Sequence, residues 1–228
     1  MNKEIVIAAY DRDLSWTSKL NSNIKITVYR KGNKIHNINE IPLSNKGRCV
    51  HTFFNHIYSN YENLSDVTCF VQDYPFDHWE NVINLLNDGI EAIKTHATLK
   101  IGGYYGFHYN TIKIPSDKGG IMWDMYDSNH FTNGKVLTCN SNGTPQADPS
   151  VYPMNLDEFW YTIFDVKHPK YYEFIPGGHF VITKEHAKLR SKSFYKNIVD
   201  ILESDSDSPW IIERLECYIF NPKYKTKI

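Results

Sequence analysis

The sequence predicts an α/β fold: a three-layer α/β/α sandwich around a mixed, mainly parallel sheet. Three observations carry that expectation. Ile5 to Tyr10 and Val67 to Val71 are apolar runs of strand length, the pattern of strands covered on both faces. Between them lies a helical repeat, with Val50, Phe53, Phe54, Ile57 and Tyr58 on one face. Strands and helices alternate through the first part of the chain. That order implies parallel strands joined by crossovers, with the later strands adding an antiparallel edge.

Taken in order, Ile5 to Tyr10 is the first strand and ends in the charged turn Asp11-Arg12-Asp13. Leu14 to Leu20 reads as a short helix, and Ile24 to Tyr29 alternates as a second strand. Arg30 to Asn33 is a turn, and Asn37 to Asn45 reads as loop around Pro42. The stretch Asn45 to His78 then supplies a basic loop, a helix, a buried strand and an acidic turn. Trp79, Val82, Ile83, Leu86, Ile90 and Ile93 predict one long helix over about 78–96. Residues 100–150 lack helical periodicity and are rich in Gly, Asn, Tyr and His, as expected for loops and short strands walling a pocket. An irregular surface excursion is the plainer alternative. Leu156 to Phe164 reads as a helix and His179 to Thr183 as a strand after Gly177-Gly178. Helices around Phe194 to Leu202 and Ile211 to Ile219 follow, separated by an acidic linker at Ser204 to Ser208. No internal repeat or linker calls for a second domain, so 1–228 reads as one.

Composition narrows the function classes. With 25 basic and 26 acidic residues the net charge is −1, which gives no reason to expect nucleic acid as a partner. The four cysteines, Cys49, Cys69, Cys139 and Cys217, have neither zinc-knuckle nor redox spacing; Cys49 and Cys69 lie within apolar patterns and read as core thiols, and a reducing compartment is the simplest reading. No stretch approaches the roughly 18 apolar residues of a membrane span, and no secretory signal is apparent. The expected location is therefore cytoplasmic, of the cell or, for a viral chain, of its host. HExxH, GxSxG, P-loop and GxGxxG motifs are missing.

Five constellations could carry chemistry. Asp73, Asp77 and His78 could hold Mn²⁺ or Mg²⁺ beside a diphosphate; a capped turn with Asp77 as N-cap is the structural alternative. Lys46 and Arg48, flanking Gly47 before a helix, suit phosphate charge; a solvated loop competes with that reading. Tyr10, Asp11 and Asp13, past the first strand, could hold a base and ribose, or form an Asx-turn. Gly177, Gly178 and His179 allow a ligand close to the backbone, or simply turn the chain. Glu213, next to Arg214, could be a general base, or half of an ion pair.

The stretches YDRDLSW, LSNKGRCVHTFFNHIYSNYENLSDVTCFVQDYPFDH, PGGHFVITKEHAKLRSKSFYKNIVDIL and IIERLECYIF together resemble an uncharacterised domain family found in fungi, bacteria and large viruses. That family is grouped with nucleotide-diphosphosugar glycosyltransferases of the GT-A type. The resemblance implies a single GT-A-like domain, with the nucleotide-binding part at about 1–100 and acceptor-side loops and helices at about 101–228. It further implies transfer of a sugar from a nucleotide-diphosphosugar donor to a hydroxyl of a glycan, lipid-linked sugar or protein. A divalent ion would sit at Asp73, Asp77 and His78. Tyr10, Asp11, Asp13, Lys46, Arg48, Gly177, Gly178 and His179 would bind substrate, and Glu213 and Asp77 would serve catalysis. Residues 104–131 would face the acceptor. The chain departs from the pattern at Asp73-Tyr74-Pro75, where Asp-x-Asp is usual, and at Arg30-Lys31, where a carboxylate often holds uracil. A non-catalytic nucleotide- or carbohydrate-binding module and a metal-dependent phosphoester hydrolase are the alternative expectations.

Overall fold

The computed structural model of the chain describes residues 1–33, 39–109, 111–115, 156–205 and 208–228. Its centre is a seven-stranded mixed sheet in the order β3-β2-β1-β4-β9-β6-β5. The strands are β1 (Lys3–Ala9), β2 (Lys25–Arg30), β3 (Glu40–Pro42), β4 (Val67–Gln72), β5 (Leu99–Ile101), β6 (Tyr104–Gly106) and β9 (Phe180–Thr183). Strands β7 (Ile112–Pro115) and β8 (Tyr171–Phe174) form a separate antiparallel pair.

The parallel half is as expected. β1 runs parallel to both β2 and β4, and β2 to β3. The other half differs. β4 pairs antiparallel with β9, β9 with β6, and β6 with β5. The sheet is therefore evenly mixed rather than mainly parallel, and β9 lies inside it rather than at an edge. The cause is visible in the residues: Phe180, Val181 and Ile182 are all buried, so this late strand needs neighbours on both sides and cover on both faces.

Alternate residues of the central strands feed two cores. Val6, Ala8, Phe70, Phe180 and Ile182 pack with residues of α1 (Arg48–Ser59), α4 (Leu156–Ile163), α6 (Lys192–Ser204) and α7 (Ser208–Ile219). Ile5, Ile7, Ala9, Cys69, Val71 and Val181 pack with Leu14 and Trp16, and with residues of α2 (Val82–Asp88) and α3 (Ile90–His96). A short helix, α5 (Lys184–Ala187), follows β9.

Three local departures have local causes. The helix expected over 78–96 is two helices, because Gly89 between α2 and α3 takes φ +88, a conformation only glycine adopts without strain. The segment 14–20 is a 3₁₀ turn, Ser15–Lys19, rather than an α-helix. The stretch read as loop around Pro42 contains β3, an edge strand; proline is tolerated there because no ladder hydrogen bond need be donated outward. Of the expected 100–150 excursion, position 110 and residues 116–150 lie outside the described residues, as does the greater part of the 104–131 acceptor segment.

Candidate functional site

In the parallel half the chain builds outward from β1 to β2 and β3, then returns to the other side of β1 as β4. Such a reversal leaves a crevice at the carboxyl ends of the two strands, the usual ligand position in open α/β sheets. The loop after β1, the turn after β4, the entrance of α1 and the turn before β9 all lie at this end.

Asp73 follows β4 at this end. Its Oδ2 accepts the backbone N–H groups of Tyr10 at 2.9 Å and Arg12 at 3.3 Å. The indole N–H of Trp16 donates to its carbonyl at 2.9 Å. Asp73 thus shapes the Tyr10–Asp13 loop and spends one carboxylate oxygen doing so. Tyr10 and Asp11 are exposed. Asp13 accepts from the backbone N–H of Ser15 at 2.9 Å and from its hydroxyl, which hold its carboxyl below the usual range. That is the Asx-turn alternative at this position.

The turn after β4 is a 3₁₀ turn, Pro75–Asp77, with His78 at its end. Asp77 is exposed, while His78 is half-buried and its Nδ1 is buried without a hydrogen-bond partner. Burial pushes the His78 imidazole down, against the attraction of Glu213 and Asp77. Gly177 packs on this ring. A Cβ there would lie 2.6 Å from the imidazole, and the residue takes φ +83, so only glycine fits. The N–H of Gly177 donates to Glu213 Oε1 at 2.8 Å, and its carbonyl accepts from Gln72 Nε2 at 2.9 Å. His78, Gly177 and Glu213 are thereby stacked in one place.

Behind them, His179 is fully buried and its Nε2 accepts the N–H of Gln72 at 3.2 Å, so the ring proton sits on Nδ1. Burial and the neighbouring His78 and His108 keep it neutral, well below its ordinary range. His179 supports the site from the core rather than facing a ligand. Glu216, one helical turn beyond Glu213 on α7, is also fully buried. Burial, then the nearby Glu213, push its carboxyl well above the usual range, which favours the neutral acid. Its Oε1 has no hydrogen-bond partner and Tyr104 Oη lies 3.4 Å from Oε2.

The basic loop reaches the same place through α7. Lys46 and Arg48 are exposed. The Arg48 guanidinium lies 3.8 Å from the centre of the Trp210 ring, and Trp210 is one helical turn before Glu213. Arg48 takes φ +53, an uncommon conformation for a residue with a Cβ, at the entrance of a helix with no acidic residue in its first turn. Arg48 thus rests on the same helix that, one turn later, carries Glu213 and through it Gly177 and His78.

The acidic turn does not form a protein cage for a metal. Among the described residues, no group of three or more His, Cys, Asp or Glu side chains is arranged to hold an ion. Asp73 is occupied by backbone donors, which leaves Asp77 as the exposed carboxylate of the expected trio. Asp157, a weaker candidate base, lies elsewhere, accepting from the Tyr172 hydroxyl at 2.7 Å.

Sequence reasoning missed Gln72, Trp210, Glu216 and Lys31. Glu216 carried a signal: three residues after Glu213, it falls on the same face of an otherwise apolar helix. Lys31 follows β2, and its ammonium is turned under the Lys46–Arg48 loop.

The chain belongs to the family described as protein of unknown function (DUF3431), whose model matches residues 5–227. No curated protein and no solved structure matches it. No helix among the described residues is long and apolar enough to cross a membrane.

Proposed function

We propose that the chain is a glycosyltransferase on a GT-A-like three-layer sandwich, moving a sugar from a nucleotide-diphosphosugar to a hydroxyl acceptor. The observation that carries this reading is that Arg48 rests on Trp210 and, one turn further along α7, Glu213 holds Gly177 against His78, so that one helix links the cationic entrance to the turn at the carboxyl end of β4. Arg48 and Lys46 neutralise the diphosphate, aided by the α1 N-terminus. Tyr10 and Asp11 flank the nucleoside. The acceptor oxygen bonds to the anomeric carbon as the bond from that carbon to the diphosphate oxygen breaks. Glu213 takes the acceptor proton, its orientation fixed by the Gly177 N–H. The products are the glycoside and the nucleoside diphosphate.

A small divalent ion can be held by one or two carboxylates together with substrate phosphates. Asp77 is the exposed candidate for that role, and Mn²⁺ or Mg²⁺ there would offset charge on the leaving diphosphate. The location that goes with this reading is cytoplasmic. A non-catalytic nucleotide- or sugar-binding module is the second reading, favoured by the use of Asp73 as a loop staple. Thermal-shift titration with UDP- and GDP-sugars, with and without Mn²⁺, followed by assay of nucleoside diphosphate release, tests both. Stabilisation with release supports the transferase, stabilisation without release the module, and no shift with any donor contradicts both.

A further inference from the structure

Lys31 occupies a place unusual for a cation. It lies beside the entrance of α1, where the helix dipole is positive and repels an ammonium. Three acceptors hold it there. Its Nζ donates to the carbonyl of Lys46, to that of Arg48 at 2.5 Å, and to His51 Nδ1 at 3.3 Å. An ammonium has three donors, so the set is complete. His51 then carries its proton on Nε2 and donates to Glu203 Oε1 on α6 at 3.0 Å. The loop that Lys31 grips is conformationally special. Gly47 takes φ +61, and a Cβ there would lie 2.6 Å from His51 Cβ and 2.9 Å from the Leu202 carbonyl. Arg48 follows at φ +53 with its guanidinium on Trp210.

We infer that Lys31 is a positioning residue: its ammonium latches the Lys46–Arg48 loop, seats Arg48 on Trp210 and so sets the anion affinity of the α1 entrance. The functional half of this rests on the donor-binding reading above; the latch itself does not. Loss of the proton removes one donor and the charge that draws the two carbonyls inward, and the loop loosens.

The titration falls in an accessible range. Burial lowers the Lys31 ammonium to about 8, against the attraction of Glu203. Two neighbouring groups are held neutral by burial. Burial, then the charge of Lys31, lower His51, so it stays neutral above pH 7. Burial pushes Cys49 to about 12. Lys46, Arg48 and Glu203 complete the charged surroundings.

The test uses the full chain, with Trp210→Phe subtracted to isolate the Trp210 fluorescence. Between pH 6.5 and 9.5 that component should titrate with a midpoint near pH 8. It should stay flat at the low-pH level in Lys31→Arg and flat at the high-pH level in Lys31→Met. With about a tenth of the protein still protonated one unit above the midpoint, UDP affinity should fall up to about tenfold by pH 9 in the wild type. Lys31→Arg, with the same ligand ionisation, should lose that dependence. No Trp210 titration in the wild type, or the same titration in a folded Lys31 variant, overturns the latch. A Trp210 titration with pH-independent UDP affinity overturns the positioning role. Failure to bind UDP at any pH, with the Trp210 titration intact, overturns the donor reading and leaves the latch standing.

Discussion

At the amino ends of β1 and β2, Glu4 is 2% exposed and its carboxylate is closed off by Lys25 Nζ at 2.9 Å, Thr27 Oγ1 at 2.6 Å and Ser65 Oγ at 2.8 Å. At the carboxyl ends, Glu216 is equally buried, yet one oxygen has no partner, and the same is true of Nδ1 in His78 and His179. At the amino end His56 Nε2, 3.7 Å from Glu4 Oε2, also lacks a hydrogen bond, although the Glu4 carboxylate itself is closed by three donors. At the carboxyl end three such atoms gather near a glycine pair. Buried polar atoms are nearly always hydrogen-bonded, and exceptions concentrate where a site has work beyond folding. On the proposed reading, the amino end serves stability and the carboxyl end the chemistry.

The largest effect that would sharpen this contrast is on turnover. Glu213→Gln should lower transfer per folded molecule by about 10²–10⁴-fold, the scale of general base catalysis. It should also cost stability, because Glu213 is buried and lies 3.6 Å from the buried Arg214 guanidinium. Full transfer per folded molecule in Glu213→Gln breaks the division.

Next is the mirror experiment at the other end. Glu4→Ala leaves three donors facing a cavity and should cost about 2–4 kcal/mol in urea denaturation. Its folded fraction should bind UDP as the wild type does. Reduced affinity per folded molecule would mean the two ends are coupled.

Acid should act mainly through buried imidazoles. Burial, against the pull of Glu4, lowers His56 to about 4 from an ordinary value near 6.5. As pH falls the unfolded chain binds that proton first, so stability drops from about pH 6.5 to about pH 4. Glu4 acts at lower pH with the same sign. Burial works to raise its carboxyl, but Lys25, Thr27, His56 and Ser65 together outweigh it and hold it low. Its contribution is lost as pH falls through that depressed value. His56→Gln should flatten the upper part of the decline in urea midpoints measured from pH 7.5 to 4.5; an unchanged slope would place the proton uptake elsewhere.

The smallest expected change is at Glu216. Burial raises its carboxyl and favours the neutral form, so Glu216→Gln should cost no more than about 1 kcal/mol, a surface-like value for a fully buried carboxyl. A large loss in urea denaturation would show that the buried group carries charge.

The parallel half of the fold was legible because β1 and β4 are short apolar runs flanked by charge, and because α1 keeps a clean 3.6-residue face. The antiparallel half was not. The residues of β9 declare a buried strand, but nothing local says that it runs beside β4 rather than at an edge, since partner choice is set by tertiary packing. In the candidate site, sequence singled out Glu213, Gly177 and His78, which the fold joins by contacts, and Arg48, which rests on Trp210 one turn before Glu213. Asp73 was picked for its carboxylate, but whether a carboxylate meets a ligand or its own backbone depends on the loop beside it, and Tyr10 and Arg12 claim this one. Lys31 read as one residue of a polar turn because the carbonyls that hold it belong to residues 46 and 48.

The most direct measurement of the central claim is backbone amide chemical-shift mapping during a UDP titration. The account predicts shifts confined to the Tyr10–Asp13 loop, the Lys46–Val50 entrance of α1 and the Gly177 turn, with residues around Glu4 and His56 unmoved. Shifts centred on the amino ends of the strands, or none at millimolar UDP, would contradict it.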